Sequence, residues 1–335
     1  MTLKYLNEIV CGDSLELIEE LPDNSIDLVI TSPPYNLDLG NNKFHKLRYD
    51  VYDDNKPYDE YIGGLKNIFN ALYKKLKSGG RLCINIGDAD NGAIPVHSDI
   101  IQFMVRDLPY LLISQVIWNK NNAANRCAWG SWKSPQHPSF PSPYEFVQLY
   151  AKETKQKVFD GPFINEINKN WEKFSDIPLT NKQVLNSEGI RHGKKKYAIE
   201  EVKKIKKVIE EKYITVSKDE FVTNTWGIWN FAPETRQKKM GHGAMFPLEL
   251  PRRCIQTLSY KGDVVLDPFN GLGTTCVAAK ELGRNYIGFD MSEKYCEISK
   301  VRIKHNGKFP DVEKSIGGVR IPSVLVERMK WQDNA

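Results

Sequence analysis

Hydrophobic and polar positions alternate along the first third of the chain with two different periods. A short apolar strand over 7–11 leads into a helical stretch over 14–20. The apolar run IDLVIT at 26–31 follows, and Pro33 and Pro34 bring it to an abrupt stop. A longer helical pattern over 58–76 sets Tyr61, Leu65, Ile68, Leu72 and Leu76 on one face, and Ser78-Gly79-Gly80 is expected to close it. A buried strand over 81–86, a helix over 98–107 and a strand over 111–118 come next. Trp129, Trp132, Pro135, Pro138, Pro141 and Pro143 then crowd one irregular stretch before the strand pattern 144–150. The rhythm resumes with a helix over 248–259, a strand over 263–266, a helix over 274–282 and a strand over 285–289. Such alternation predicts an α/β fold with a doubly wound, mostly parallel sheet.

Between these halves lies an insertion of different character. Residues 151–225 hold 16 Lys plus Arg against 12 Asp plus Glu, so +4 of the net charge of +5 resides there. Such a segment suits either a solvated lysine-rich surface or one that contacts phosphates. A surface helix is expected over 196–212. The chain therefore divides into 1–150, 151–225 and 226–335. With 335 residues, 41% of them hydrophobic, it is long enough for a large core. No run approaches the ~18–20 apolar residues of a membrane span, and the start carries acids, so a soluble cytoplasmic protein with no membrane partner is expected. Cys11, Cys83, Cys127, Cys254, Cys276 and Cys296 lie far apart and the histidines do not cluster. That spacing predicts reduced, mostly buried thiols and no metal site.

Two segments concentrate candidate chemistry. The strand at 263–266 feeds Asp267-Pro268-Phe269-Asn270-Gly271-Leu272-Gly273-Thr274-Thr275 and then a helix. Glycines there let backbone approach a ligand, and free amides at a helix start suit an anion. The third glycine of the dinucleotide fingerprint is missing, which lowers a nicotinamide reading but leaves a plain structural turn open. Further on, the strand 285–289 ends in Asp290, placed to accept from both hydroxyls of a ribose or to cap the next helix.

The second segment is Ser32-Pro33-Pro34-Tyr35, at the carboxyl end of its strand, where open α/β sheets bind ligands. Two prolines hold the Ser32 hydroxyl and the Pro33 carbonyl in one orientation, and Tyr35 adds a flat aromatic face. An exocyclic amino nitrogen is a poor nucleophile until acceptors hold its hydrogens, and these groups are such acceptors. Pro-Pro-Tyr alone would equally serve as a ligand for a proline-binding module.

Together these segments resemble the exocyclic-amino DNA methyltransferases, which make N4-methylcytosine or N6-methyladenine. Thr31-Ser32-Pro33-Pro34-Tyr35 looks like their catalytic motif, and Asp267 to Thr275 like their cofactor motif. The catalytic motif comes first, as in the permuted β group. The resemblance implies S-adenosylmethionine as cofactor, held by Asp267, Phe269, Gly271, Gly273, Thr274, Thr275 and Asp290. It also gives Asp13, in Cys11-Gly12-Asp13-Ser14-Leu15, the adenine amino group, though Asp13 would equally cap the following helix. Phe246-Pro247-Leu248 with Leu250-Pro251 is similar to the helix entry packed on the methionine end. Trp118-Asn119-Lys120 and Ser131-Trp132-x-Ser134-Pro135 resemble the lining of the target-base pocket.

The implied substrate is double-stranded DNA with one base flipped out, at a cost of a few kcal/mol that stacking on Tyr35 would offset in part. The insertion falls where this family keeps its target-recognition region. Arg191, His192, Lys194, Lys195 and Lys196 form its densest basic cluster. A restriction endonuclease acting on the same site is the implied partner, with the chain itself a monomer or homodimer. Two positions depart from the common pattern. Ser32 stands where many relatives carry Asp, and serine there is associated mainly with cytosine N4, leaving adenine N6 as the alternative. Asp290 replaces the more usual glutamate. Cytosine C5 chemistry needs a nucleophilic thiolate, typically in a Pro-Cys pair, which the chain lacks.

Overall fold

The computed structural model describes residues 3–36, 51–53, 55–89, 94–121, 142–154, 216–234 and 245–308, and the backbone of 312–316 and 319–322. Among these residues the first half runs β1 (Glu8–Cys11), α1 (Ser14–Glu19), β2 (Ile26–Thr31), α2 (Tyr58–Lys75), β3 (Leu76–Ile86), α3 (Val96–Arg106), β4 (Tyr110–Asn119) and β5 (Tyr144–Lys152). The second half runs α4 (Lys218–Thr225), β6 (Ile228–Asn230), α5 (Glu249–Leu258), β7 (Val264–Asp267), α6 (Thr274–Glu281), β8 (Asn285–Asp290), α7 (Glu293–Lys304), β9 (Val312–Ile316) and β10 (Val319–Pro322).

Among the described residues, eight strands form one sheet in the order β1-β8-β7-β2-β3-β5-β4-β6, while β9 and β10 pair separately. Of the eight, only β5 runs antiparallel to its neighbours, so the sheet is mostly parallel as expected. It is assembled from both ends of the chain: β1 pairs with β8, and β2 with β7.

Both faces are covered, which is why the central strands read as continuous apolar runs. Val29 and Leu266 turn toward one core, with Leu17 of α1, Leu65, Phe69 and Leu72 of α2, and Ile100 of α3. Leu28, Ile30 and Val265 turn the other way, onto Leu250 and Ile255 of α5 and Ala278 and Ala279 of α6. The period of two along each strand thus sorts successive side chains into two layers.

Three local expectations change. The glycines of Ser78-Gly79-Gly80 do not close α2, which ends at Lys75; they lie inside β3, where the pairing with β2 slips from Ile26↔Leu76 to Leu28↔Arg81. Gly79 takes φ 70 there, and a Cβ on Gly80 would sit 2.8 Å from the Lys77 carbonyl, so both glycines serve a bulge. The cap of α7 is Ser292 rather than Asp290, its hydroxyl accepting from the Tyr295 amide. An unforeseen helix, α4, begins with a complete capping box, Ser217 and Glu220 each accepting from the other's backbone.

Cys83, Cys254, Cys276 and Cys296 are buried free thiols while Cys11 is exposed. Cys127, the expected helix over 196–212 and most of the segment 151–225 lie outside the described residues. Among the described residues no helix is long and apolar enough to cross a membrane, and no group of His, Cys, Asp and Glu is arranged to hold a metal.

Candidate functional site

Strands β7 and β2 lie side by side at the centre of the sheet, and their onward connections leave in opposite directions. From β7 the chain passes through α6 to β8; from β2 it passes through α2 to β3. The carboxyl ends of such a strand pair leave an open crevice. Here it is a cavity of about 540 Å³ that both sequence segments line. Ser32, Pro34 and Tyr35 come from the first; Asp267, Phe269, Gly271, Thr274 and Asp290 come from the second and its following strand. Asp13, Phe246, Trp118 and Lys120 complete the wall from α1, the α5 entry and β4. Pro33, Pro247, Gly273 and Thr275 are not among the lining residues. Arg191, His192, Lys194, Lys195 and Lys196, like Ser131, Trp132, Ser134 and Pro135, lie outside the described residues.

One wall is a backbone turn held from several sides. The amide of Gly271 donates to Asp290 Oδ2 at 2.7 Å, and the amide of Ser292 donates to Oδ1 at 2.9 Å. Each carboxylate oxygen accepts more than one donor, so this bracing is compatible with ribose hydroxyls on the same group. Asn270 ties the turn inward, its Nδ2 donating to Ser299 Oγ at 3.0 Å and its backbone amide to the Phe289 carbonyl at 2.9 Å. The buried guanidinium of Arg302 donates to the Leu272 carbonyl and to Thr274 Oγ1. Gly273 opens α6 with φ 80, pressed so close to Ser299 that a Cβ would lie 2.1 Å from its hydroxyl. Thr275 sits beneath the turn and donates to Asp267 Oδ2 at 2.7 Å. Gly273 and Thr275 thus shape the turn from behind. Asp13 caps α1, with Oδ1 accepting from the Leu15 and Glu16 amides, so its capping role is realised at the cavity wall.

Asp267 is completely buried at the end of β7. Burial pushes its carboxyl up to about 6, although hydroxyls of Thr275 and Thr31 and the Phe269 amide all favour the charged form.

The opposite wall is a hydrogen-bond network around the proline turn. Ser32 Oγ donates to the Tyr35 hydroxyl at 2.9 Å, and Tyr35 donates to Glu145 Oε2 at 3.0 Å. Asn85 Nδ2 donates to both, at 2.8 Å to Tyr35 and 2.7 Å to Glu145. Lys120 closes the network with an ion pair to Glu145 Oε1 and lies over the Trp118 ring. The Tyr61 hydroxyl donates to the Pro34 carbonyl at 2.8 Å, so that carbonyl is already engaged. Tyr35 is 9% exposed, with its hydroxyl anchored and its ring edge against Gly87, a more enclosed setting than a freely offered aromatic face.

The site roles of Asn85, Glu145, Tyr61 and Arg302 do not follow from the sequence, because these residues come from strands and helices far away in the chain and no local motif marks them. Asn270 stands inside the glycine turn, but its inward tie to Ser299 is a tertiary contact. Lys120 is marked in the sequence only as part of Trp118-Asn119-Lys120, the segment that resembles the lining of the target-base pocket.

Comparison with known proteins identifies the family of the chain and its fold. The profile of the N6_N4_Mtase family, described as DNA methylase, matches residues 26–301. The Type II methyltransferase M.MjaI of Methanocaldococcus jannaschii is 27% identical over 321 residues, covering 89% of this chain and 91% of its own length. M.BglII of Bacillus subtilis is 25% identical over 320 residues, 92% of this chain and 73% of its own. Among solved structures, TTHA0409 of Thermus thermophilus in complex with S-adenosyl-L-methionine superposes with a TM-score of 0.58 at 24% identity, covering 90% of this chain and 94% of that one. PvuII DNA methyltransferase, cytosine-N4-specific, superposes at 0.56 with 20% identity, over 92% and 88% of the two chains.

Proposed function

Because the chain belongs to the N6/N4 DNA methylase family, we propose that it methylates the N4 amino group of cytosine in double-stranded DNA. The methyl donor is S-adenosylmethionine, a sulfonium that supplies an activated methyl group without a metal. The turn wall of the cavity fits such a donor: Asp13 and Asp290 offer carboxylates to amino and hydroxyl hydrogens, the Gly271 backbone allows close approach, and Met245, Phe246 and Tyr295 add apolar surface. On the opposite wall Ser32 faces the same cavity, so donor and acceptor sites share one enclosed space.

Ser32 carries the choice of base. Its hydrogen goes to Tyr35, which leaves oxygen lone pairs to accept a hydrogen of the target amino group and favour a more tetrahedral nitrogen. Prealigned acceptors lower the barrier through positioning and electrostatics. The base reaches the cavity flipped out of the duplex. Residues 151–225 serve as the target-recognition region, with Arg191, His192, Lys194, Lys195 and Lys196 on the phosphates. A companion endonuclease of the same specificity, a monomeric or dimeric enzyme and a cytoplasmic location complete the reading.

The test is direct. DNA methylated in vitro, digested to nucleosides and analysed by mass spectrometry, should contain N4-methyldeoxycytidine. A product consisting only of N6-methyldeoxyadenosine would show that Ser32 does not select cytosine here. Ser32→Ala should retain S-adenosylmethionine binding and lose at least 100-fold in methylation rate.

A further inference from the structure

Ser32 brings no formal charge to the reacting amino group, yet a carboxylate lies two hydrogen bonds away. Glu145, on β5, stands 110 positions from Tyr35 in the chain and has a side chain only 12% exposed. The directions of the hydrogen bonds are determined by chemistry. The Asn85 amide nitrogen has only donors, so the Tyr35 oxygen and Glu145 Oε2 are both acceptors toward it. The Tyr35 oxygen also receives Ser32, so its own hydrogen is directed to Glu145. Lys120 donates to the second carboxylate oxygen, which surrounds Glu145 with donors suited to an anion. Ion pairs this enclosed do little for folding that an apolar pair of equal volume would not do.

We infer that Glu145 is the charged end of an acceptor chain that acts on Ser32 through the Tyr35 hydroxyl. The inference rests on the reading of Ser32 as acceptor for the target amino group. Each hydrogen bond in such a chain polarises the next, so the carboxylate makes Ser32 Oγ a stronger acceptor than an isolated hydroxyl. The same chain carries away the proton that the methylated nitrogen must lose. One N–H bond breaks as Ser32 Oγ takes that proton, the Ser32 hydrogen moves to the Tyr35 oxygen, and the Tyr35 hydrogen moves to Glu145 Oε2. The net result is a neutral amine and a protonated carboxyl, which then returns its proton to solvent. Glu145 is a positioning residue in this scheme, since it reaches the base only through others.

Glu145→Gln keeps the volume and removes the charge; Tyr35→Phe keeps the ring and removes the link. Each should slow single-turnover methylation at least tenfold while Kd values for DNA and S-adenosylmethionine, measured by titration, stay within twofold. The double variant should be no slower than the slower single one, because both interrupt one chain. Wild-type rate in either variant, or losses that multiply, would overturn the proposal. A purely structural role would instead weaken both Kd values along with the rate, and that too would overturn it. If Glu145→Gln does not fold, Glu145→Asp, which keeps the charge, should be faster than Tyr35→Phe; equal rates count against the chain. Ser32→Ala separates the two readings: wild-type rate there removes Ser32 from the chemistry, whereas a slow Ser32→Ala beside unimpaired Glu145→Gln and Tyr35→Phe defeats the chain alone.

Discussion

The Thr31 hydroxyl donates to Asp267 Oδ1 at 2.8 Å across 236 positions of sequence. Thr31 is the last residue of the strand that delivers Ser32, and Asp267 the last of the strand that delivers the glycine turn. One buried hydrogen bond therefore sets the two walls of the cavity against each other, at the point where the N-terminal and C-terminal halves of the sheet join.

Thr31→Val keeps the side-chain shape and removes this donor. A hydrogen bond to a charged group contributes about 1.5–3 kcal/mol, so the variant should lose that much stability at neutral pH. Urea unfolding at pH 7 measures it. The loss should shrink near pH 4, where the carboxyl is protonated.

Asp267 itself should make stability pH-dependent. Burial raises its carboxyl from 3.8 to about 6, so the folded chain favours the protonated form. Its stabilising contribution is complete below the ordinary aspartate range and is lost as pH rises through about 6. Asp267→Asn does not titrate. Between pH 4 and 7 the wild type should therefore lose roughly 2 kcal/mol of unfolding free energy relative to the variant. A constant difference across that range would show that Asp267 is not displaced.

Gly273→Ala should be costly for two reasons, a left-handed backbone at φ 80 and a Cβ 2.1 Å from Ser299 Oγ. Gly262→Ala supplies the control, since φ is 87 there and nothing lies within 4 Å. The control should lose ~1–2 kcal/mol for backbone alone. Gly273→Ala should lose clearly more, together with S-adenosylmethionine affinity, as calorimetry and titration would reveal.

Tyr61→Phe removes the hydroxyl that holds the Pro34 carbonyl. The expected loss of stability is about 1 kcal/mol. The larger effect should appear as slower methylation at unchanged S-adenosylmethionine affinity, because the proline turn bearing Ser32 loses an anchor.

Much of this fold was legible because its determinants are local. The run Ile26–Thr31 reads as a strand from composition alone, and the prolines after it state where it must stop. The helix expected over 248–259 and the observed α5 at Glu249–Leu258 agree to within a residue at each end. The errors are equally local in origin. A glycine pair after a helix looks the same whether it caps that helix or bulges the next strand, and only pairing of β3 with β2 distinguishes them. Asp290 and Ser292 are both capping residue types. Asp290 is drawn to the Gly271 amide, 19 positions away, and leaves the cap to Ser292. The Ser217 and Glu220 capping box lies within 151–225, the segment whose charge sets it apart as an insertion, and is established by the contacts between the two residues.

The sequence by itself determined the chemistry on offer: a hydroxyl beside two prolines and a tyrosine, and a glycine turn followed by an acid. Proline, glycine and hydrophobic period act over a few residues, so these elements declare themselves without their surroundings. Tertiary structure alone decided what they meet. Pairing of β2 with β7 put both segments on one cavity, Tyr61 claimed the Pro34 carbonyl, and β5 carried Glu145 within reach of Tyr35. Those outcomes depend on strand order and burial, which arise from contacts between residues far apart in the chain.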